Sequence, residues 1–176
     1  KPPAPAPIHR DDAPPPRTKS EWEAATKDRR APADAAAKPL RITLAAGPKD
    51  HGIDEHDYPL WLDRWSKLLR TAPNVAVREV KDGNGLEFAD ESDVIVWYSA
   101  NPSWDESQAP KLRGFLDRGG GLVVLHWAVR GAKATDALAD LLGLAASPTI
   151  KYRHGPLDLD LVDPKSPITE GLSTPL

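Results

Sequence analysis

The residues of this chain best suited to chemistry cluster just after its first long apolar run. Positions 47 to 61 read GPKDHGIDEHDYPLW and hold two histidines, four acidic residues and two prolines. Imidazole is the one side chain whose ordinary pKa lies within pH 5 to 8, so it serves either proton transfer or metal ligation. His51 and His56 therefore point to acid–base or metal-assisted chemistry, with Glu55 or Asp50 close enough in sequence to orient a ring. A structural reading of the same segment stands beside it. Acidic residues before a helix are stabilised by its positive end, each by about 0.3 to 1 kcal/mol.

Three later segments carry further polar groups. YSANPSW (98 to 104) offers Ser99 and Asn101, HWAVRGA (126 to 132) offers His126 and Trp127, and KYRHGPLDLDL (151 to 161) offers Tyr152 and His154. An imidazole that ends an apolar strand must find a hydrogen-bond partner once buried, so His126 is either a satisfied core histidine or a site residue. The candidates for proton transfer are His126, His51 and His56, with Glu55 beside them. Asn101, Ser99, Trp127, Tyr152 and His154 are candidates for ligand binding. His51, His56 and His126 are alternatively the ligands of a divalent transition metal, although their spacing is not that of a helical HExxH motif. The sequence contains no cysteine, which removes thiolate ligands and nucleophiles. Ser99 lacks a GxSxG elbow, so a serine hydrolase is not expected.

The elements that must position these groups follow from periodicity. RITLAA (41 to 46), DVIVWYS (93 to 99) and GLVVLHW (121 to 127) are short, nearly continuous apolar runs of the kind buried on both faces of a parallel sheet. NVAVREV (74 to 80) is less uniformly apolar and suits an edge strand. Tyr58, Trp61, Leu62, Trp65, Leu68 and Leu69 form one helical stripe, with Pro59 well placed in its first turn. Leu112, Phe115 and Leu116 mark a second helix, closed by Gly119 to Gly121. That triple glycine precedes a strand, so it reads as a turn rather than a phosphate cradle. Ala134, Ala137, Leu138, Leu141 and Leu142 mark a third helix, closed by Gly143. The order β-α-β-β-α-β-α predicts an open, mostly parallel α/β sheet, whose ligands bind beyond the carboxyl ends of the strands near the point where strand order reverses. Those ends carry the histidines.

The 176 residues suffice for one domain with a substantial core. The net charge of −3 and the lack of basic, aromatic-interleaved patches argue against nucleic acid as a partner, and no apolar run is long enough to span a membrane. A small-molecule ligand fits better. Residues 1 to 39 hold nine of the nineteen prolines and few large aliphatics, which predicts an extended arm or linker. Trp22 is its exception, with Ser20 expected to cap a short helix. The chain begins at Lys1 and contains no methionine. A cleaved export signal would account for that and would place the protein in the periplasm or outside the cell; trimming of a cytoplasmic protein is the alternative.

The segments AGPKDHGIDEHDYPLW, DVIVWYSAN, RGGGLVVLHWAV and RHGPLDLDLVDPKSPITEGL together resemble the ThuA-like family, named for trehalose utilisation, over roughly residues 40 to 172. The resemblance implies a flavodoxin-like, three-layer α/β/α domain of the class I glutamine amidotransferase-like fold, and a link to carbohydrate metabolism through trehalose-type disaccharides or their keto derivatives. It places the histidines at 51, 56, 126 and 154 in the family's motif segments. Amidotransferase relatives carry a nucleophilic cysteine after a central strand, where this chain reads LHWAV, so glutamine hydrolysis by that route is excluded. Ser166 stands where many relatives have histidine, which weakens a site role there. The chain stops at GLSTPL, where such domains continue, so the domain spanning 40 to 176 is expected to be incomplete at its C-terminus. The expected function is an enzyme of sugar or keto-sugar metabolism acting as a hydrolase, lyase or isomerase. A non-catalytic carbohydrate-binding or assembly module of a larger exported protein is the alternative.

Overall fold

A computed structural model describes residues 18–21, 38–52, 55–131, 134–147, 149–151, 160–163, 165–167 and 169. Trp22, Tyr152 and His154 lie outside them. The chain divides into two compact units, Glu23–Ile150 and the terminal segments Lys1–Trp22 with Lys151–Leu176.

The larger unit is built on four strands, β1 (Leu40–Ala46), β2 (Val75–Lys81), β3 (Val94–Tyr98) and β4 (Gly121–Leu125), all parallel in the order β2-β1-β3-β4. This is the flavodoxin-like α/β arrangement expected from the sequence. Ile42 to Ala46 of β1 are all buried, as a central strand with helices on both faces requires. NVAVREV forms the edge strand β2. Because side chains alternate along a strand, Ile42, Leu44 and Ala46 face one layer, where they pack with Tyr58 and Leu62. On the other face Ala45, Ile95 and Trp97 pack with Leu112, Phe115 and Leu138.

Helix α1 (Tyr58–Leu69) covers the first face. It starts where expected: Asp57 accepts the Leu60 N–H at 3.0 Å, and Pro59 lies in the first turn, where its missing N–H costs nothing. Its buried row is narrower than the sequence stripe. Tyr58, Leu62 and Ser66 are buried at i, i+4 and i+8, whereas Trp65 and Leu68 are 44% and 48% exposed. Trp61 and Leu69 pack beside this row only partly buried, and the small Ser66 sits on it, its hydroxyl donating to the Asp63 carbonyl at 3.1 Å. The two large apolar residues lie on the flank instead.

The second face is covered by α2 (Ala109–Asp117), α3 (Thr135–Leu142) and a 3-10 segment, Leu86–Glu91, that joins β2 to β3. Gly143 ends α3 with φ of 80°, the left-handed cap that glycine adopts at least cost. The turn before β4 needs glycine for a different reason. A Cβ on Gly120 would fall 2.5 Å from the Phe115 carbonyl oxygen. At the amino ends of the strands, Arg41 forks onto Asp93 with contacts of 3.1 and 2.7 Å, tying β1 to the start of β3. This guanidinium holds the Asp93 carboxyl well below the usual carboxylate range, through its side-chain hydrogen bonds first and the Arg41 backbone N–H second.

GLVVLHW does not continue as a strand to Trp127. β4 stops at Leu125, and His126–Val129 form a 3-10 turn that His126 enters with φ of 56°. In the smaller unit, Thr18 rather than Ser20 caps the helical turn at 19 to 21. Its hydroxyl accepts the Glu21 N–H at 3.3 Å, and the Glu21 carboxylate accepts the Thr18 N–H at 2.6 Å. Among the described residues no helix is long and apolar enough to cross a membrane.

Candidate active site

The loop after β1 carries Asp50, His51 and His56, and the turn after β4 carries His126. The reversal of strand order falls between β1 and β3, so these segments leave the sheet on its ligand-binding edge. The three imidazoles meet there. The ring centroids of His51 and His56 are 4.0 Å apart and those of His56 and His126 are 4.6 Å apart, both edge to face. Two of the three rings are carried by residues with left-handed backbone, His56 at φ of 38° and His126 at 56°. Non-glycine residues occupy that region at a cost of about 1 to 2 kcal/mol, so the surrounding contacts must hold them there.

Several of those contacts can be named. The Lys49 ammonium donates to the Glu55 carbonyl at 2.7 Å and lies 3.6 Å from Asp57. The Tyr58 N–H donates to the His56 carbonyl at 3.0 Å. The Glu55 carboxylate accepts the Gly52 N–H at 3.3 Å, closing a turn. The carboxylate that meets an imidazole is therefore Asp50, with Oδ1 2.5 Å from His51 Nδ1, while Glu55 is engaged with backbone. His51 Nδ1 is also 3.0 Å from His56 Nδ1.

Tyr58 supports this group from below. Its side chain is fully buried in the apolar layer, its hydroxyl lies 3.5 Å from Asp50 Oδ2, and its ring packs edge to face on Tyr98 at 4.7 Å. Burial is the main cause that pushes the phenol up to about 12, with the Asp50 charge second, so the hydroxyl remains a donor. Sequence reasoning assigned Tyr58 to the core stripe alone. The signal available was a phenol beginning a helix beside an acidic loop, since a buried Tyr O–H needs a partner.

His126 is exposed at its surface rather than buried at the end of a strand. Its pKa is nonetheless lowered, by partial desolvation first and then by the neighbouring His56 and His51. The remaining candidates are placed less centrally. The Trp127 ring lies 6.0 Å from His126, with the Arg130 guanidinium 5.8 Å from its face. Asn101 is exposed and uses its side-chain oxygen to accept the Ser103 N–H at 3.0 Å. Ser99 follows β3 beside Gly47, where a Cβ on the glycine would come within 2.7 Å of the serine Cβ. The Ser99 hydroxyl is buried and has no hydrogen-bond partner among the described residues. A groove of about 300 Å³ between Arg41, Thr43, Ala76, Arg78 and Glu91 contains none of these groups. Its charges are already paired, Arg41 with Asp93 and Arg78 with Glu91 of the 3-10 segment.

No family model, curated protein or solved structure matches the chain.

Proposed function

We propose that the protein is an enzyme acting on a small polar substrate, a sugar or keto-sugar of the trehalose-type disaccharide class, at the carboxyl edge of β1, β3 and β4. The observation that carries an enzymatic reading is the meeting of His51, His56 and His126 from two separate loops, with Asp50 on His51. A neutral imidazole carries one N–H donor and one bare acceptor nitrogen, so a cluster of three offers both to a substrate. The choice of a sugar rests on the resemblance of the motif segments to the ThuA-like family.

In this reading His126 exchanges a proton with the substrate, because it is exposed and, unlike His51, has no carboxylate on its ring among the described residues. His56 stands behind it and His51 is oriented by Asp50. The indole of Trp127 offers an apolar face for a sugar ring, and the Ser99 hydroxyl, unpartnered among the described residues, and the Asn101 amide nitrogen are offered to sugar hydroxyls. Elimination, isomerisation and hydrolysis of keto-glycosides all require such proton transfer.

A panel of disaccharides and their keto derivatives, followed for binding and for product, tests the proposal. Turnover by the wild type that falls at least 100-fold in a folded His126→Ala protein is the expected result. Equal turnover by the two proteins removes His126 from the chemistry, and binding without any product makes the domain a carbohydrate-binding module.

A further inference from the structure

The contacts of His51 pose a proton-counting problem. Its Nδ1 lies 2.5 Å from the Asp50 carboxylate and 3.0 Å from His56 Nδ1. A carboxylate only accepts, and a single ring nitrogen is either an N–H donor or a bare acceptor. If His51 Nδ1 carries a proton, that proton serves Asp50, and His56 Nδ1 then faces a nitrogen with no lone pair to offer. If His56 Nδ1 carries the proton instead, the bare nitrogen of His51 faces a carboxylate oxygen at 2.5 Å, lone pair against lone pair. No single placement of protons gives both contacts a linear hydrogen bond. One cation at their common point satisfies all three lone pairs at once.

The donor set fits that cation. One oxygen of Asp50 and one nitrogen from each of His51 and His56 lie within 4.8 Å of one another. Two imidazoles and a carboxylate are a ligand set suited to zinc and its first-row neighbours, and three protein ligands leave a coordination position open for water or substrate. The outer contacts are those a metal site needs. Tyr58 O–H reaches the second oxygen of Asp50 at 3.5 Å, and Lys49 holds the loop at the Glu55 carbonyl, one residue before His56. The strand-end loops offered His126 as a third ligand, whereas the ligand atoms that lie within 4.8 Å of one another are those of Asp50, His51 and His56.

We infer that Asp50, His51 and His56 form a binding site for one divalent transition cation of the zinc and cobalt class, with His126 beside it as the proton-transferring group. The inference rests on reading this cluster as the reactive site, and a bound cation would supply it with a Lewis acid. It needs no particular sugar.

Titration of the metal-free full chain with Co²⁺, followed by visible absorption and by competition with Zn²⁺, tests the site directly. One equivalent with a dissociation constant below about 10 μM is expected, lost in His51→Ala and in His56→Ala and weakened at least tenfold in Asp50→Asn. A His9→Ala control should leave binding unchanged. Circular dichroism and thermal melting of each variant separate lost ligands from lost folding, and Asp50→Asn keeps the side-chain shape should the alanine variants unfold. Absence of stoichiometric Co²⁺, or binding that persists in the folded His51→Ala/His56→Ala double variant, overturns the inference. Sugar turnover undiminished by chelator would leave the proposed function standing while the metal site falls. Tight Co²⁺ binding without turnover of any sugar would do the reverse.

Discussion

Tyr58 lies fully buried with its hydroxyl 3.5 Å from Asp50, so one residue both closes the apolar layer over β1 and steadies the carboxylate that holds His51. Core and site are thus joined at the first residue of α1. Fold stability and site geometry can be separated there by removing a single oxygen.

Tyr58→Phe should keep the packing and lose the contact with Asp50. Because the hydrogen bond is long, the stability change is expected to stay within about 1 kcal/mol. Affinity for Co²⁺ should fall about tenfold, as is usual when an outer-shell partner of a metal ligand is removed. Thermal melting and the cobalt titration read the two effects separately. An unchanged cobalt affinity would show that Tyr58 serves packing only.

The narrow buried ridge of α1 gives a contrast between two apolar residues of the same helix. Leu62 is 2% exposed among Ile42, Leu44 and Ala46, so Leu62→Ala should cost about 2 to 5 kcal/mol. Trp65 is 44% exposed, and Trp65→Ser is expected to change stability by about 0.5 kcal/mol or less despite deleting far more surface. Urea denaturation of the two proteins measures both values. A larger loss for Trp65 would mean that another surface covers that flank.

The same helix shows what could be read from sequence alone. The strands and helices were legible because alternation and helical spacing are local, and the strand-end rule drew His51, His56 and His126 to one edge. Periodicity named Trp65 and Leu68 as apolar, but which ridge meets the sheet depends on the neighbouring layer. The end of β4 was overrun because Leu125, His126 and Trp127 continue an apolar run, and only the backbone reveals the left-handed turn at His126. Asp50 and Glu55 were equivalent as carboxylates near a histidine. The turn in which Gly52 captures Glu55 separates them, and nothing in residue type announces it.

At the opposite end of the strands, the Arg41–Asp93 fork makes stability depend on acid. The folded carboxyl is held below its unfolded value, so the pair contributes fully above about pH 4, and the contribution is lost as pH falls from the unfolded pKa toward the folded one. Asp93→Asn should therefore melt below the wild type at pH 6, and the gap should narrow by pH 2.5. Melting curves at the two pH values check this. A gap that stays constant would assign the loss to shape rather than charge.

Ser99 sets stability against binding. Its hydroxyl is buried at the reversal point of the sheet without a partner among the described residues, a state that costs about 1 to 3 kcal/mol relative to a satisfied hydroxyl. Gly47 approaches its Cβ so closely that little room remains for a larger side chain. Ser99→Ala removes the oxygen and keeps the shape, so the variant should be as stable as the wild type or more stable by about 1 kcal/mol. If the orphaned hydroxyl serves a bound sugar, as the proposed function has it, the same substitution should weaken substrate affinity about tenfold. Melting temperature and a binding isotherm on one pair of proteins decide it. Raised stability with unchanged affinity would make Ser99 a packing defect, whereas raised stability with lost affinity would mark a residue kept for its ligand at the fold's expense.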